Sequence, residues 1–366
     1  MDLLNLADWE AAAKAKLSPM AFGYYASGAN DEITLCRNRK AFEDVEVYHR
    51  VLRDVSKRST VCKVLGETLQ TPILVAPSAF HQLACEEGEL ATVRGVAAAG
   101  SLMTLSTLSN KAIEQVAAET NAPLWFQLYI YKDRAITNAV LDRAEAAGCK
   151  AIVFTVDAPL LGRREGDIRN RFHLPEGFRM ENVLPHGYGA LQEIENASSL
   201  ASYFSELLDP AIAWSDLDWL CQKTRLPVLV KGIVHPEDAR FALNHGAAGI
   251  IVSNHGGRQL DTGPATIRAL PGVAKELAGM KTHHGEKPWL LLDGGIRRGT
   301  DVLKALALGA DAVLLGRPIL WGLANQGAAG VAAVLNLLRD ELDLAMGLCG
   351  CRNLAEITED LIFPSS

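Results

Sequence analysis

Residues 249–261 read Gly-Ile-Ile-Val-Ser-Asn-His-Gly-Gly-Arg-Gln-Leu-Asp, an apolar run ending in a hydroxyl (Ser253), an imidazole (His255), two glycines (Gly256, Gly257) and a guanidinium (Arg258). An imidazole takes a proton near neutral pH. Glycines let backbone approach a ligand closely, and a guanidinium grips a carboxylate through two parallel N–H bonds. A base beside an anion clamp suits a small acidic substrate that gives up a proton. A lone histidine is more often a surface residue, and His49, His186, His283 and His284 read that way. His255 differs because an apolar strand delivers it and Arg258 follows at once.

Something rigid must hold these groups. Eight short apolar runs recur along the chain: Ile73–Ala76, Leu102–Leu105, Leu124–Phe126, Ile152–Phe154, Val228–Val230, Ile250–Val252, Leu290–Leu292 and Val313–Leu315. Ala-rich amphipathic stretches between them read as helices, such as Glu89–Ala99, Ile136–Ala147, Pro236–His245 and Asp301–Leu308, each followed by glycine. Pro236 suits a first helical turn, Thr300 is the expected cap of its helix, and the closing glycines suit a left-handed C′ position. Alternating strands and helices imply a parallel sheet, and eight units imply a closed (β/α)₈ TIM barrel of the α/β class. An open doubly wound sheet should carry Gly-x-Gly-x-x-Gly after its first strand, where this chain has Pro77-Ser78-Ala79-Phe80. The reading is one barrel domain over residues 1–366. It carries a mostly helical N-terminal extension (residues 1–70), a lid after the fourth strand (about Leu160–Ala213) and a closing amphipathic helix at Val331–Gly347.

Barrels collect chemistry from the carboxyl ends of their strands, and here every strand ends in something polar or glycine. Asp293, Gly294, Gly295, Arg297, Gly316 and Arg317 follow the seventh and eighth strands, where a phosphate site is commonly built from N–H groups and a guanidinium. Ser106, Gln127, Thr155 and Ser253 are neutral donor–acceptors, suited to the edges of a flat heteroaromatic ring. Pro77, Ser78 and Ala79 follow the first strand. A phosphate site beside a ring-reading rim points to FMN, and Lys231 would stabilise negative charge on a reduced ring. Tyr24, Tyr129, Asp157, Arg164, His255 and Arg258 then serve the substrate. His255 takes the proton and Asp157 steadies the resulting imidazolium. Asp157 could instead cap a helix, Asp293 could cap one while also serving the site, Lys231 could be a salt-bridged barrel lysine, and a Tyr24-Tyr25 pair is usually core packing.

On these residues the chain resembles the FMN-dependent 2-hydroxy acid oxidases, among them glycolate, lactate and hydroxymandelate oxidases. The resemblance runs nearly end to end. It is carried by Tyr24-Tyr25-Ala26-Ser27-Gly28-Ala29, Phe126-Gln127-Leu128-Tyr129, Thr155-Val156-Asp157, Leu161-Gly162-Arg163-Arg164, Val230-Lys231-Gly232, the segment Ser253–Asp261, Asp293-Gly294-Gly295-Ile296-Arg297-Arg298-Gly299 and Leu315-Gly316-Arg317-Pro318. It implies a (β/α)₈ barrel, FMN, oxidation of a 2-hydroxy acid to the 2-keto acid with O₂ giving H₂O₂, and homotetramers or homo-octamers. It also implies that Tyr24, Tyr129, Arg164 and Arg258 contact the substrate carboxylate and hydroxyl, that His255 is the base partnered by Asp157, and that Lys231 sits at the flavin N1 edge. Plant-type glycolate oxidases carry tryptophan where this chain has Leu108 and threonine where it has Ser78. A smaller wall at Leu108 favours L-lactate or a bulkier acid, and Ala79 leans toward an oxidase.

Composition narrows the field. Of 366 residues, 49% are hydrophobic and 22% charged, with a net charge of -7, which suits a globular enzyme and argues against a nucleic-acid partner. The seven cysteines include no CxxC pair and Cys349-Gly-Cys351 is too tight for a metal site, so no metal is expected. The polar lid, the N-terminus without a basic and apolar leader, the lack of long apolar runs and the ending Phe363-Pro364-Ser365-Ser366 suggest a cytoplasmic protein without membrane docking. Two rival readings stay open: a flavin dehydrogenase feeding another acceptor, and a flavin-free barrel using Lys231 as a Schiff-base nucleophile.

Overall fold

The computed structural model describes residues 3–183 and 199–364. His186 and the central part of the expected lid lie outside the described residues. The strands are β1 (Cys62–Val64), β2 (Glu67–Leu69), β3 (Ile73–Val75), β4 (Met103–Leu105), β5 (Leu124–Leu128), β6 (Ile152–Thr155), β7 (Val228–Ile233), β8 (Gly249–Val252), β9 (Trp289–Asp293) and β10 (Ala312–Leu315). Strands β3 to β10 are parallel and close in the order β10-β3-β4-β5-β6-β7-β8-β9. This is the expected (β/α)₈ barrel, and each expected apolar run lies on one of its strands.

The runs are continuously apolar because both faces of each strand are buried. Side chains alternate across a strand, and two packed clusters separate by parity. Leu74, Leu102, Trp125, Val153, Leu229, Ile251, Leu291 and Leu314 fill the barrel interior, joined by Val64 and Leu69 of the β1–β2 hairpin. Ile73, Met103, Phe126, Ile152, Val230, Ile250, Leu292 and Val313 face the surrounding helices. Two residues beyond an interior side chain, the same parity points into the barrel mouth. Gln127, Thr155, Lys231, Ser253 and Asp293 each stand two residues after Trp125, Val153, Leu229, Ile251 and Leu291 respectively.

Helix ends follow local chemistry. Pro236 occupies the first turn of its helix, and Gly100, Gly148, Gly246 and Gly309 all adopt positive φ after theirs. Thr300 is not a cap: the helix Gly299–Ala307 starts from Arg298, and Asp301 Oδ2 accepts from the Arg297 and Arg298 amides at 2.9 and 3.0 Å. A carboxylate reaching back from the first turn satisfies two orphan donors better than a hydroxyl. The N-terminal extension has the helices Leu6–Lys16, Pro19–Ala26 and Ile33–Glu43, but ends in the β1–β2 hairpin rather than in helix.

The closing helix is longer than expected, Arg317–Leu348, with a break at Gln326 and Gly327 (φ −144° and 58°) that hides its length from a periodicity reading. By length and composition it is apolar enough to cross a bilayer, contrary to the expectation of no such run, yet 56% of its most apolar window is buried inside the fold. It is a core helix, with Trp321, Val331, Val334, Leu335 and Leu338 all buried.

The extension is clamped to the β8 loop. Asp261 accepts from the amides of Asp31, Ile33 and Thr34, and Asn254 exchanges paired amide bonds of 2.8 Å with Asn38. A Cβ on Gly257 (φ 75°) would sit 2.6 Å from the Leu35 amide nitrogen. Gly257→Ala therefore combines positive-φ strain with a backbone collision, each of order 1 kcal/mol or more. The expected result is a fall of a few degrees in melting temperature by scanning calorimetry; an unchanged midpoint would show that this contact yields freely.

Candidate active site

The strand ends and the extension enclose one cavity of about 1030 Å³, counted with its open mouth. Of the residues singled out in the sequence, Tyr24, Pro77, Ser78, Ala79, Ser106, Gln127, Tyr129, Thr155, Arg164, Lys231, His255, Arg258, Asp293, Gly294, Gly295, Arg297, Gly316 and Arg317 all line it. Asp157 and Ser253 stand behind that lining, each bonded to a residue in it.

His255 hangs on the loop after β8 at φ 57°, a strained value for a residue with a Cβ. Its Nδ1 lies 2.8 Å from Asp157 Oδ1. An ionised carboxylate can only accept, so Nδ1 carries the proton and the Nε2 lone pair is left for the cavity. Burial pushes the imidazole below the ordinary histidine range, with Lys231 and Arg164 adding to the fall and Asp157 opposing it. It is a neutral base at pH 7. Burial pushes the Asp157 carboxyl up, but facing His255, its hydrogen bond and Lys231 outweigh that and hold it below the ordinary aspartate range. Asp157 caps no helix. Gly232 makes the approach possible: at φ 112° a Cβ there would lie 2.6 Å from that of Asp157.

Lys231 donates to Ser253 Oγ at 3.0 Å and pairs with Asp293 Oδ2 at 3.3 Å. Burial lowers its pKa, but Asp293 and Asp157 reverse the sign and hold the ammonium protonated. A protonated, ion-paired lysine is a poor Schiff-base nucleophile, which disfavours the flavin-free reading. Asp293 is this partner, not a helix cap. Ser253 Oγ also accepts from the His255 amide at 3.0 Å, so one hydroxyl links the lysine to the base.

Two guanidiniums face the same space. Arg258 donates through Nη1 to the Tyr24 and Ser27 carbonyls at 2.6 and 3.0 Å and lies over the Tyr24 ring. Arg164 is 5% exposed, and burial and Arg258 lower its pKa to about 10, still protonated at pH 7. Gln259 ties Arg164 to the base of the lid: its amide nitrogen donates to the Asp157 and Leu160 carbonyls, and its oxygen accepts from the Gly162 amide and Arg164. Arg317 commits three nitrogens to the Tyr25, Gly256 and Ser27 carbonyls. Its guanidinium braces the extension as well as lining the cavity.

Burial raises the pKa of both Tyr24 and Tyr129, so each hydroxyl keeps its proton. Leu200 and Phe204 also line the cavity, from the helix Ser199–Leu207 that returns from the lid. Sequence reasoning missed them, and nothing in a nine-residue amphipathic stretch signals which cavity it will cover. Phe204 meets the Tyr129 ring edge-on at 5.6 Å.

Several buried polar atoms at the mouth have no partner among the described residues: Gln127 Nε2, Thr155 Oγ1, Asp293 Oδ1 and Arg297 Nε. Buried polar groups are rarely left so. Gln127 is held for the purpose, its Oε1 accepting from the Thr107 amide at 3.1 Å. A planar group with both donors and acceptors on its edge would complete this set.

A family model described as FMN-dependent dehydrogenase matches residues 13–364. The chain belongs to that family. It is similar to an L-lactate oxidase of Nostoc sp., 50% identical over 358 residues and covering 97% of this chain and 96% of that one. A glycolate oxidase of Spinacia oleracea is 48% identical over 362 residues, covering 99% and 96%. The solved structure of mandelate oxidase with (S)-4-hydroxymandelic acid superposes with a TM-score of 0.92 at 42% identity over 98% of both chains. This FMN-dependent protein has, in the unpartnered atoms just described, buried groups that fit an isoalloxazine edge.

Because Asp157 opposes the depression of the His255 pKa, Asp157→Asn should lower that pKa further. Histidine-resolved NMR titration of the two proteins measures this; an equal or higher value in the variant would contradict the electrostatic assignment.

Proposed function

We propose that the protein oxidises a small (S)-2-hydroxy acid to the 2-keto acid, with O₂ reduced to H₂O₂, and that L-lactate is preferred over glycolate. The observation that carries this reading is a neutral imidazole, proton-loaded on its Asp157 side, sharing one cavity with Arg164 and Arg258. Bound FMN supplies the two-electron acceptor that turns deprotonation of an alcohol into oxidation.

The chain's own groups divide the remaining work. Arg164 and Arg258 hold the substrate carboxylate, and orienting the substrate lowers the barrier by removing its freedom beforehand. Tyr24 and Tyr129, both protonated, donate to the carboxylate and to the hydroxyl oxygen. His255 Nε2 takes the hydroxyl proton, and the imidazolium that forms gains a charged hydrogen bond to Asp157. Lys231 stays cationic and, with Gln127, Thr155 and the chain at Ser78 and Ala79 that line the same cavity, would hold the flavin ring. Gly294, Gly295, Arg297, Gly316 and Arg317 would hold the phosphate.

The substrate preference rests on the apolar wall. Leu108, Leu200 and Phe204 line the cavity, leaving room for a side chain that glycolate lacks. The three relatives named above act on lactate, glycolate and mandelate, so the wall and not the family favours lactate.

His255→Gln should keep its yellow flavin and lose at least ~100-fold in the rate of anaerobic flavin reduction by L-lactate, the usual scale for a general base. Full activity in that variant would remove the base from the proposal. Leu108→Trp should shift the lactate-to-glycolate ratio by about tenfold toward glycolate, within the roughly 1–3 kcal/mol available to apolar pocket contacts. Both ratios come from stopped-flow bleaching with the two acids. One H₂O₂ per acid consumed under air identifies an oxidase; a substoichiometric yield with rapid reduction of an artificial dye identifies a dehydrogenase instead.

A further inference from the structure

Arg164 lines the cavity, and Asp167 lies behind it on the short helix Glu165–Arg169. Their side chains are 5% and 1% exposed, and Arg164 Nη1 stands 4.0 Å from Asp167 Oδ2. That separation is an ion pair without a hydrogen bond. Among the described residues, neither carboxylate oxygen of Asp167 has a hydrogen-bond partner. The guanidinium is no better served: its Nε and Nη2 make bonds of 3.3 Å each, to the Arg258 carbonyl and to Gln259 Oε1. Five donors are available on a guanidinium, so most remain free to engage an anion.

Buried charges left this incompletely paired are costly. The cost makes sense if a second anion is to be shared. With Asp167 ionised, Arg164, Arg258 and Asp167 carry one net positive charge, which a monocarboxylate brings to zero. Burial raises the Asp167 carboxyl above the ordinary aspartate range, and Arg258 and Arg164 offset only part of that rise.

We propose that Asp167 is an internal competitor for Arg164. It holds the guanidinium while the cavity is empty and cedes it to the incoming carboxylate, so it weakens carboxylate binding and hastens release of the keto acid. Asp167 touches no reacting atom and acts through Arg164, as a positioning residue. The inference rests on the reading of Arg164 and Arg258 as the carboxylate clamp.

A simple brace makes the opposite prediction, which allows a direct test. The probe is oxalate, which has two carboxylates and no hydrogen to lose, titrated into FMN-loaded protein and followed by flavin absorbance and melting temperature. Asp167→Asn keeps the shape and removes the charge. Its oxalate Kd should fall about tenfold, and its KM for L-lactate should fall while flavin reduction at saturation stays within twofold. The variant should melt lower than the parent without oxalate and regain more on adding it, since a ligand that binds only the folded state stabilises it. An unchanged or weaker oxalate affinity would overturn the proposal in favour of a brace.

In an Arg164→Met background, Asp167→Asn should alter the oxalate Kd less than twofold. A full tenfold gain there would mean that Asp167 does not act through Arg164, and would also overturn it. If the parent fails to bind oxalate at all, the clamp reading itself falls and takes this inference with it. Should Asp167→Asn not accumulate with flavin, Asp167→Ser provides the same comparison.

Discussion

The 2.8 Å contact between His255 Nδ1 and Asp157 Oδ1 is the interaction around which the site is arranged. It joins the ends of β6 and β8 across the intervening β7, and β7 must give way for it. The β7–β8 register shifts between Lys231 and Ile233, and Gly232 presents bare backbone where any side chain would strike Asp157. Alternation from Leu229 already points Lys231 inward, and the bulge that follows it puts Ile233 in the outer core. A local irregularity in one strand thus lets two neighbours share a proton-bearing bond. Bulges beside active sites serve to aim side chains in this way.

The mouth of the barrel carries its charges under the surface. Lys231, Asp293 and Arg164 are all buried, and burying charge is destabilising unless partners repay it. Some partners are present, as in the Lys231–Asp293 pair. Others are missing, as at Gln127 Nε2 and Thr155 Oγ1. The pattern suits a site completed by a cofactor: interior layers of leucine and valine supply stability, while the top layer is left with polar groups that nothing among the described residues satisfies.

The N-terminal extension is part of the site and not an ornament on it. Arg258 and Arg317 between them bond to the backbone carbonyls of Tyr24, Tyr25 and Ser27. These bonds place the Tyr24 ring under the Arg258 guanidinium, with its other side stacked on Phe172 at 4.2 Å. Residues 231 to 292 positions apart in sequence form one wall. The two arginines hold that wall in place and are in turn fixed by it, so their remaining N–H groups point where the backbone allows.

The barrel was legible in the chain because period-2 burial on both faces writes each strand as an unbroken apolar run, and because closing glycines mark helix ends whatever surrounds them. Gln127, Thr155, Lys231 and Asp293 were legible because each polar residue stands two places past an interior one, whereas the choice of Tyr24 and Arg164 rested on the family resemblance. Other features escaped. Leu200 and Phe204 become cavity wall only through where the fold places the helix Ser199–Leu207. The β1–β2 hairpin has too few residues to show a period, and Thr300 lost the capping role to Asp301 through a contact decided by backbone direction. Sequence alone determined which residues could face inward, since alternation is a covalent property of extended chain. The pairing of Asp157 with His255 was expected from the sequence, but tertiary structure alone decided that Asp293 pairs with Lys231 and how closely each pair meets, because those distances depend on register and closure that no single strand contains.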